Sequence, residues 1–359
     1  MIIIDAHLDL AWNALQWNRN LELPVQEIRQ LEKGMPEPGR EMGTVALPEL
    51  RQANMVLCFA TLLARSTGTM EPDLDYLSPA QAYAIAQGQL AYYHALSRRG
   101  EARLITHPAV LEEHISEWGK WEKGKAKKPQ PPIGIVISME SADPIAEPEQ
   151  LTEWWASGLR IIGPAHYGPG RYAGGTGSED GLTHAGKKLI KEMRHLDIIL
   201  DMTHLSDRAF WEAMDLYNGP LIASHNNCRA LVPHQRQYSD EQIQAIINCD
   251  GVIGAAFDNW MIGPGWVRGA TNNKPVIMDQ VVDHIDHICQ LAGNSHHAAI
   301  GSDLDGGFGR EQSPSDLDTI ADLQKIPGLL KKRGYKETDI DAIMHGNWLR
   351  TLRKAWAGE

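Results

Sequence analysis

The chain has 359 residues and is acidic, with 34 Lys and Arg against 46 Asp and Glu and a net charge of −12. This charge argues against a general role in binding nucleic acids or membrane surfaces, because both require basic patches. Hydrophobic residues make up 43% of the chain, which is too many for a disordered protein. No apolar run reaches the roughly 18 residues of a membrane span. The length fits two ordinary domains or one large (β/α)8 barrel.

The N-terminus and the cysteines predict a cytoplasmic protein. The apolar residues at positions 2–4 are followed at once by Asp5 and have no basic region before them, so they are not a secretory signal. The four cysteines, at positions 58, 228, 249 and 289, form no C-x-x-C pair. In a chain of this size we expect reduced thiols rather than a disulfide framework.

Apolar runs that end in polar residues recur along the chain and predict buried strands. The runs are continuous rather than alternating, which is typical of parallel strands buried on both faces. The eight predicted strands cover residues 2–9, 54–60, 133–140, 159–166, 198–204, 220–225, 251–257 and 298–305.

Helical patterns lie between these runs. Ser78 and Ser239 each begin a predicted capping box, with Gln81 and Gln242 three residues later. The predicted helices cover residues 78–99, 148–157, 183–196, 206–217, 239–248, 275–292, 315–333 and 337–356. Predicted loops cover residues 18–47, a basic stretch at 119–132, and Gly-rich stretches at 168–178 and 260–274.

This alternation predicts an α/β protein in which residues 1–359 form a single domain, a (β/α)8 TIM barrel. In such a barrel the chemistry takes place at the C-terminal ends of the strands. A doubly wound open sheet is the alternative fold. We prefer the barrel because reactive residues follow many of the strands rather than one switch point.

Three reactive side chains come at the ends of the first and third predicted strands. His7 and Asp9 are two residues apart, so on a strand they point to the same face and can bind one metal ion. An ordinary hydrogen-bonded pair is the alternative interpretation. Glu140 ends the third strand, where an unpaired carboxylate is costly to bury and a metal ion would compensate. A salt bridge to a loop residue is the alternative for Glu140.

Other candidates follow later strands. His204 and His225 end the fifth and sixth strands, and imidazole is a common metal ligand. His166 ends the fourth strand, ahead of the Gly-rich loop. Asp303 ends the eighth strand and could be a metal ligand or a general acid and base. Asp305 would lie on the same face as Asp303, so strand geometry does not choose between them.

Taken together, these residues resemble the renal (membrane) dipeptidase family of zinc metallopeptidases, over essentially the whole chain. The strings that carry the resemblance are short and occur in order with suitable gaps. They are DAHLD at 5–9, MES at 139–141, DMTHLS at 201–206, SHNNC at 224–228, PHQR at 233–236, GSDLDG at 301–306 and GNWLR at 346–350. Residue 237 is Gln where the family often has Asn, and the sequence around His166 also departs from the common pattern.

The resemblance implies a binuclear site with two Zn²⁺ ions per chain, although Mn²⁺ or Fe²⁺ would also suit mixed imidazole and carboxylate ligands. One ion would be held by His7, Asp9 and Glu140. The other would be held by Glu140, His204 and His225, so that Glu140 bridges the two ions.

The resemblance also implies an activity. The expected substrate is a dipeptide or another short peptide with a free C-terminal carboxylate, including peptides with a D-residue at that position. A metal-bridging hydroxide would attack the peptide carbonyl, with Asp303 as acid and base, His166 at the carbonyl, and Arg236 at the substrate carboxylate. Members of the family tend to form homodimers, so we expect a homodimer and no nucleic-acid or membrane partner.

Two other functions are alternatives. One is a different hydrolase of the amidohydrolase superfamily, acting on a cyclic amide, a lactone or a phosphotriester. The H-x-D spacing of His7 and Asp9, together with Arg236, argues against it. The other is a catalytically silent barrel that binds a ligand, against which the complete set of candidate ligands argues.

Overall fold

The structure is a computed structural model, and it describes residues 1–124 and 129–357. Its strands follow one path, β1-β2-β4-β5-β6-β7-β8-β9, with β3 paired to β4. Helices separate successive strands of this path, and the pairings with a defined register are parallel. This is the order of a (β/α)8 barrel, so the predicted fold class is confirmed. The strands are β1 (Ile3–Leu8), β2 (Met55–Leu63), β3 (Ala102–Leu104), β4 (Ile133–Glu140), β5 (Leu159–Gly163), β6 (Ile199–Asp201), β7 (Leu221–Ala223), β8 (Val252–Ala255) and β9 (Ala298–Ile300).

Two helices begin at the capping boxes that the sequence predicts. Ser78 accepts a hydrogen bond from the Gln81 N–H at the start of α4, and Ser239 forms a complete capping box with Gln242 at the start of α9. The helices are α1 (Leu10–Leu15), α2 (Val25–Leu31), α3 (Leu47–Gln52), α4 (Pro79–Arg98), α5 (Pro108–Lys123), α6 (Leu151–Ala156), α7 (His184–His195), α8 (Asp207–Leu216), α9 (Asp240–Asn248), α10 (Asn259–Ile262), α11 (Met278–Ala292), α12 (Ile326–Lys332), α13 (Glu337–Asp341) and α14 (Asn347–Ala355). Short 3₁₀ segments cover 148–150, 310–312 and 320–325, and a π-helical turn covers 342–346.

Contacts within the chain group its residues into two compact units. The first contains Met1–Cys58 and Ser224–Arg350, and the second contains Phe59–Ala223 and the residues from Thr351 onward. That residues 1–359 form one domain stays a prediction.

In the first unit, the start of α14 holds the region around β9. Asn347 Nδ2 donates to the carbonyl oxygens of Ser295 and Ala298, and Trp348 Nε1 donates to that of Ile300. These bonds satisfy buried polar groups of both partners. All six residues of β1 are buried, as its continuous apolar sequence predicts.

In the second unit, β4, β5, β6 and β7 pair in chain order as parallel neighbours. Every residue of these four strands is buried. Burial on both faces explains why these runs are continuously apolar in the sequence.

Several predicted boundaries were wrong. Helix α5 was not predicted, and residues 119–123 of the predicted basic loop lie in it; residues 125–128 of that loop lie outside the described residues. His107 caps α5 by accepting a hydrogen bond from the Ala109 N–H, with Pro108 at its first position. The many charged residues on the exposed face of this helix give it a composition that is typical of a loop. Likewise α2 lies within the predicted loop 18–47, and β3 was not predicted.

The strands also end earlier than predicted. β6 ends at Asp201 rather than at 204, and β9 ends at Ile300 rather than at 305. His204, Asp303 and Asp305 have positive φ angles of 68°, 58° and 63°, which no extended strand contains. These three candidates therefore lie on turns after the strands rather than within them. Within the described residues, no helix is both long and apolar enough to cross a membrane.

Candidate metal and substrate site

The first unit brings together three of the predicted side chains, His7, Asp9 and Asp303. Nε2 of His7 lies 3.7 Å from Oδ2 of Asp9 and 3.8 Å from Oδ1 of Asp303. His7 and Asp9 are buried, and Oδ1 of Asp9 has no hydrogen-bond partner among the described residues. A buried carboxylate oxygen without a partner is costly, and a cation would compensate that cost. One imidazole and two carboxylates within reach of one another are a donor set that suits Zn²⁺.

Asp5 supports this group and was given no role in the sequence analysis. Its Oδ1 accepts hydrogen bonds from the backbone N–H of His7, at 3.1 Å, and from that of Ser302, at 2.8 Å. The carboxylate therefore connects β1, which carries His7, with the turn that carries Asp303. Burial raises the pKa of Asp5, and the bonds to Ser302 and His7 oppose the rise.

The structure gives Asp303 and Asp305 different surroundings, a distinction that the sequence alone does not make. Asp305 is buried and accepts three hydrogen bonds, from the N–H and the hydroxyl of Thr44 and from the N–H of Val45, and it also pairs with Arg19. The Asp303 side chain retains 16% exposure beside His7. Asp305 therefore holds the fold, whereas the side chain of Asp303 is partly exposed next to His7.

His225 lies in the same unit, and its ring centroid is 3.9 Å from that of His7. Its Nδ1 is 2.9 Å from the hydroxyl of Ser224. A contact at Nδ1 orients the ring and leaves Nε2 for a ligand bond, as is usual for metal-binding histidines.

Arg236 is buried and packs against the backbone next to His225. Its Nη2 donates to the carbonyl oxygen of His225 at 2.8 Å, and its Nη1 donates to Oδ1 of Asn226. Nε of Arg236 is buried and has no hydrogen-bond partner among the described residues. A guanidinium carries five N–H donors, so Arg236 keeps donors for an anion. Gln237, the departure from the common family sequence, donates to the carbonyl oxygen of Met261 and thereby holds the loop.

The second unit brings together Glu140, His166 and His204. Oε1 of Glu140 lies 3.2 Å from Nε2 of His204, and its Oε2 lies 3.9 Å from Nε2 of His166. Glu140 is the last residue of β4, while the two histidines lie on turns after β5 and β6. These three side chains form a second group able to hold a metal ion.

Two further residues of the second unit contact these histidines and were missed. The hydroxyl of Thr176 is 3.0 Å from Nδ1 of His204, and Nη1 of Arg65 is 3.2 Å from Nδ1 of His166. Arg65 comes two residues after β2. A charged residue directly after a buried apolar run is the sequence signal that could have identified it as a candidate. Thr176 lies in the Gly-rich loop and gives no such signal.

Comparisons with known proteins agree with the motifs. The family model of the membrane dipeptidases, peptidase family M19, matches residues 1–357. The chain is 33% identical to an uncharacterized protein from the pqqA 5′ region of Klebsiella pneumoniae over 233 residues, which are 62% of this chain and 83% of that protein. Other curated relatives include dipeptidases, and the alignments cover about half of the length of most of them, from 45% to 63%.

Solved structures share the fold. A dipeptidase of family M19 has a TM-score of 0.79 at 23% identity, covering 100% of this chain and 99% of that one. A metallopeptidase from Rhodobacter sphaeroides, solved with a phosphinate mimic of the dipeptide L-Ala-D-Ala, has a TM-score of 0.78 at 22% identity, with 99% of both chains covered. The resemblance in the motifs is confirmed, and the chain belongs to the membrane dipeptidase family of metallopeptidases, family M19.

Proposed function

We propose that this protein is a metal-dependent dipeptidase that cleaves short peptides with a free C-terminal carboxylate. The observation that carries the proposal is the pair of ligand groups, one around His7 and one around Glu140, in a chain of a metallopeptidase family. The residues of both groups lie at or just after the C-terminal ends of strands, where barrels of this class place their chemistry.

We further propose that the two groups hold two divalent ions, Zn²⁺ in the first instance. His7, Asp9 and Glu140 would bind one ion, and Glu140, His204 and His225 would bind the other. Two observations support this ligand set. Oδ1 of Asp9 is buried without a hydrogen-bond partner among the described residues, and hydroxyl groups contact Nδ1 of His204 and of His225. When bound, such a pair of ions lowers the pKa of a coordinated water towards neutrality.

The protein's own side chains would move the protons. Asp303 takes a proton from the attacking water and returns it to the leaving amine, because its carboxylate is near His7 and only partly buried. His166 donates from Nε2 to the carbonyl oxygen of the scissile bond and stabilises the charge that develops there.

Arg236 would bind the substrate carboxylate through the N–H groups that the protein leaves unused. Because it is buried, solvent would screen this charge pair very little. The mimic held by the Rhodobacter sphaeroides neighbour is a reason to include peptides with a C-terminal D-residue among the substrates of this chain.

A substrate panel tests the proposal. Ala-Ala dipeptides of L,L and L,D configuration are compared with a lactone, a cyclic imide and a phosphotriester, using zinc-loaded wild type and Asp303→Asn. We expect turnover of dipeptides only, and a fall in kcat of at least about 100-fold in Asp303→Asn. Turnover of the lactone or triester alone would favour the other hydrolases of the superfamily, and no turnover at all would favour a silent binding protein.

Location and assembly are part of the same proposal. All four cysteines are free thiols in the structure, and this supports the cytoplasm as the working compartment. Assembly as a homodimer stays a prediction, which sedimentation of the purified protein would test.

A further inference from the structure

The contact between Arg65 and His166 fixes where the imidazole proton must be. Nη1 of Arg65 lies 3.2 Å from Nδ1 of His166, and a guanidinium can only donate hydrogen bonds. Nδ1 must therefore be the acceptor, and a neutral ring then carries its proton on Nε2. Oε2 of Glu140 is 3.9 Å from that Nε2.

His204, the other histidine beside Glu140, is in the opposite situation. Its Nδ1 faces the hydroxyl of Thr176, which can accept a hydrogen bond. The same hydroxyl lies 3.4 Å from the carbonyl oxygen of His204, to which it can donate its own proton. This pattern places the proton of His204 on Nδ1 and leaves a lone pair on Nε2, 3.2 Å from Oε1 of Glu140.

We propose that Arg65 is a positioning residue that keeps His166 in the Nε2–H tautomer. A protonated Nε2 cannot bind a metal ion, so Arg65 separates His166 from the ligand set even though its distances to Glu140 and His204 would allow it to join. The same proton is available to the carbonyl oxygen of a substrate. This last step rests on the proposed dipeptidase function, whereas the tautomer does not.

The loop around Arg65 holds the guanidinium in one orientation. Oδ2 of Asp75 accepts hydrogen bonds from Nη2 of Arg65 at 2.9 Å and from Nε at 3.2 Å. The Asp75 side chain is fully buried and also accepts from the N–H and the hydroxyl of Thr67. Backbone bonds from Arg65 N–H to Leu74 and from Tyr76 N–H to Arg65 close the loop. An arginine held in this way contacts His166 without an entropic cost at the time of reaction.

Nitrogen NMR of the zinc-loaded protein, labelled with ¹⁵N-histidine, tests the tautomer directly. His166→Gln identifies the resonances of that ring. In the wild type we expect an unprotonated Nδ1 and a protonated Nε2 for His166. In Arg65→Met we expect the proton to appear on Nδ1 in a measurable fraction of molecules. Glu71→Gln is the matched control, because it removes the charge of an exposed partner of the same guanidinium and should leave the His166 spectrum unchanged.

Arg65→Met leaves the buried Asp75 without its counter-charge and can fail to fold, so Arg65→Met/Asp75→Asn is made in parallel. With a dipeptide substrate we expect kcat to fall about 10- to 100-fold with KM within about twofold, since the lost interaction is made in the transition state. Arg65→Lys, which keeps a donor, should recover part of the loss.

The outcomes separate the two proposals. A protonated Nδ1 of His166 in the wild type, or an unchanged His166 spectrum in the folded double variant, would overturn the role of Arg65. Failure of the wild type to cleave any dipeptide would instead overturn the proposed function, and the tautomer would still be read from the spectrum.

Discussion

Arg236 offers the sharpest test of substrate recognition. Two of its five N–H groups donate to the protein, to Asn226 and to the backbone of His225, and its buried Nε has no hydrogen-bond partner among the described residues. A substrate carboxylate would therefore receive two charge-assisted hydrogen bonds from the remaining donors. Arg236→Met removes these bonds and keeps much of the buried aliphatic volume.

The expected magnitude follows from those two bonds. Each charge-assisted hydrogen bond contributes about 1.5–3 kcal/mol, so the pair contributes about 3–6 kcal/mol. At about 1.4 kcal/mol per factor of ten, kcat/KM for a dipeptide should fall about 10²- to 10⁴-fold. A dipeptide with a C-terminal amide offers a neutral carbonyl, for which the same substitution should cost about tenfold or less.

The assay is a cycle of two proteins and two substrates, with kcat/KM measured for the dipeptide and its amide. Because the cycle subtracts any disturbance of the nearby His225, its coupling energy reports on the carboxylate alone. Arg229→Met is the matched control, since Arg229 donates to the carbonyl oxygens of Gln235 and Gln237 in the same loop. Equal losses on both substrates in Arg236→Met would refute the carboxylate role.

Three other predictions follow from single contacts. Thr176→Val removes the hydroxyl at Nδ1 of His204, and we expect metal affinity to fall about 10- to 100-fold in competition with a chelator. Burial raises the pKa of Asp258 to about 7, although a hydrogen bond donated by a neighbouring side-chain amide opposes the rise. The carboxyl of the native protein therefore ionises between about pH 5 and 8, whereas in the unfolded chain it is already ionised over that range. Wild-type stability should therefore fall over that window, and Asp258→Asn should gain about 2 kcal/mol relative to wild type between pH 5 and pH 8 in urea unfolding. Gly301→Ala would press a Cβ into the carbonyl of Ser224, and the free energy of unfolding should drop by about 1–3 kcal/mol or more.

Each of these has a contrary result. Unchanged chelator competition in Thr176→Val would mean that the hydroxyl does not orient His204. A constant stability difference between pH 5 and pH 8 would mean that Asp258 does not change its ionisation there. Wild-type stability of Gly301→Ala would mean that the turn after β9 moves away from Ser224 at little cost.

The sequence predicted the strands well for a physical reason. β1 and β4 are buried along their whole length, so continuous apolar runs identify them, and Glu140 falls at the predicted end. The shorter strands were extended too far, because positive φ angles at His204 and Asp303 depend on local contacts that no run of residue types encodes.

The supporting contacts of the site could not be predicted. Arg65 and His166 are 101 positions apart, and Thr176 and His204 are 28 apart, so only the folded chain brings them together. Which of Asp303 and Asp305 is the candidate for catalysis likewise depends on a residue distant in sequence, because Thr44 donates two hydrogen bonds to the Asp305 carboxylate. The candidate ligands were found because they follow strands, and their roles stay predictions.

Metal stoichiometry tests the proposal that Glu140 is shared by both ions of a binuclear centre. Elemental analysis after exhaustive dialysis should give close to two zinc ions per chain for the wild type. Glu140→Ala should retain at most one ion and lose dipeptide hydrolysis, since both ions would share that carboxylate in the proposed site. Two ions and full turnover in Glu140→Ala would contradict the account.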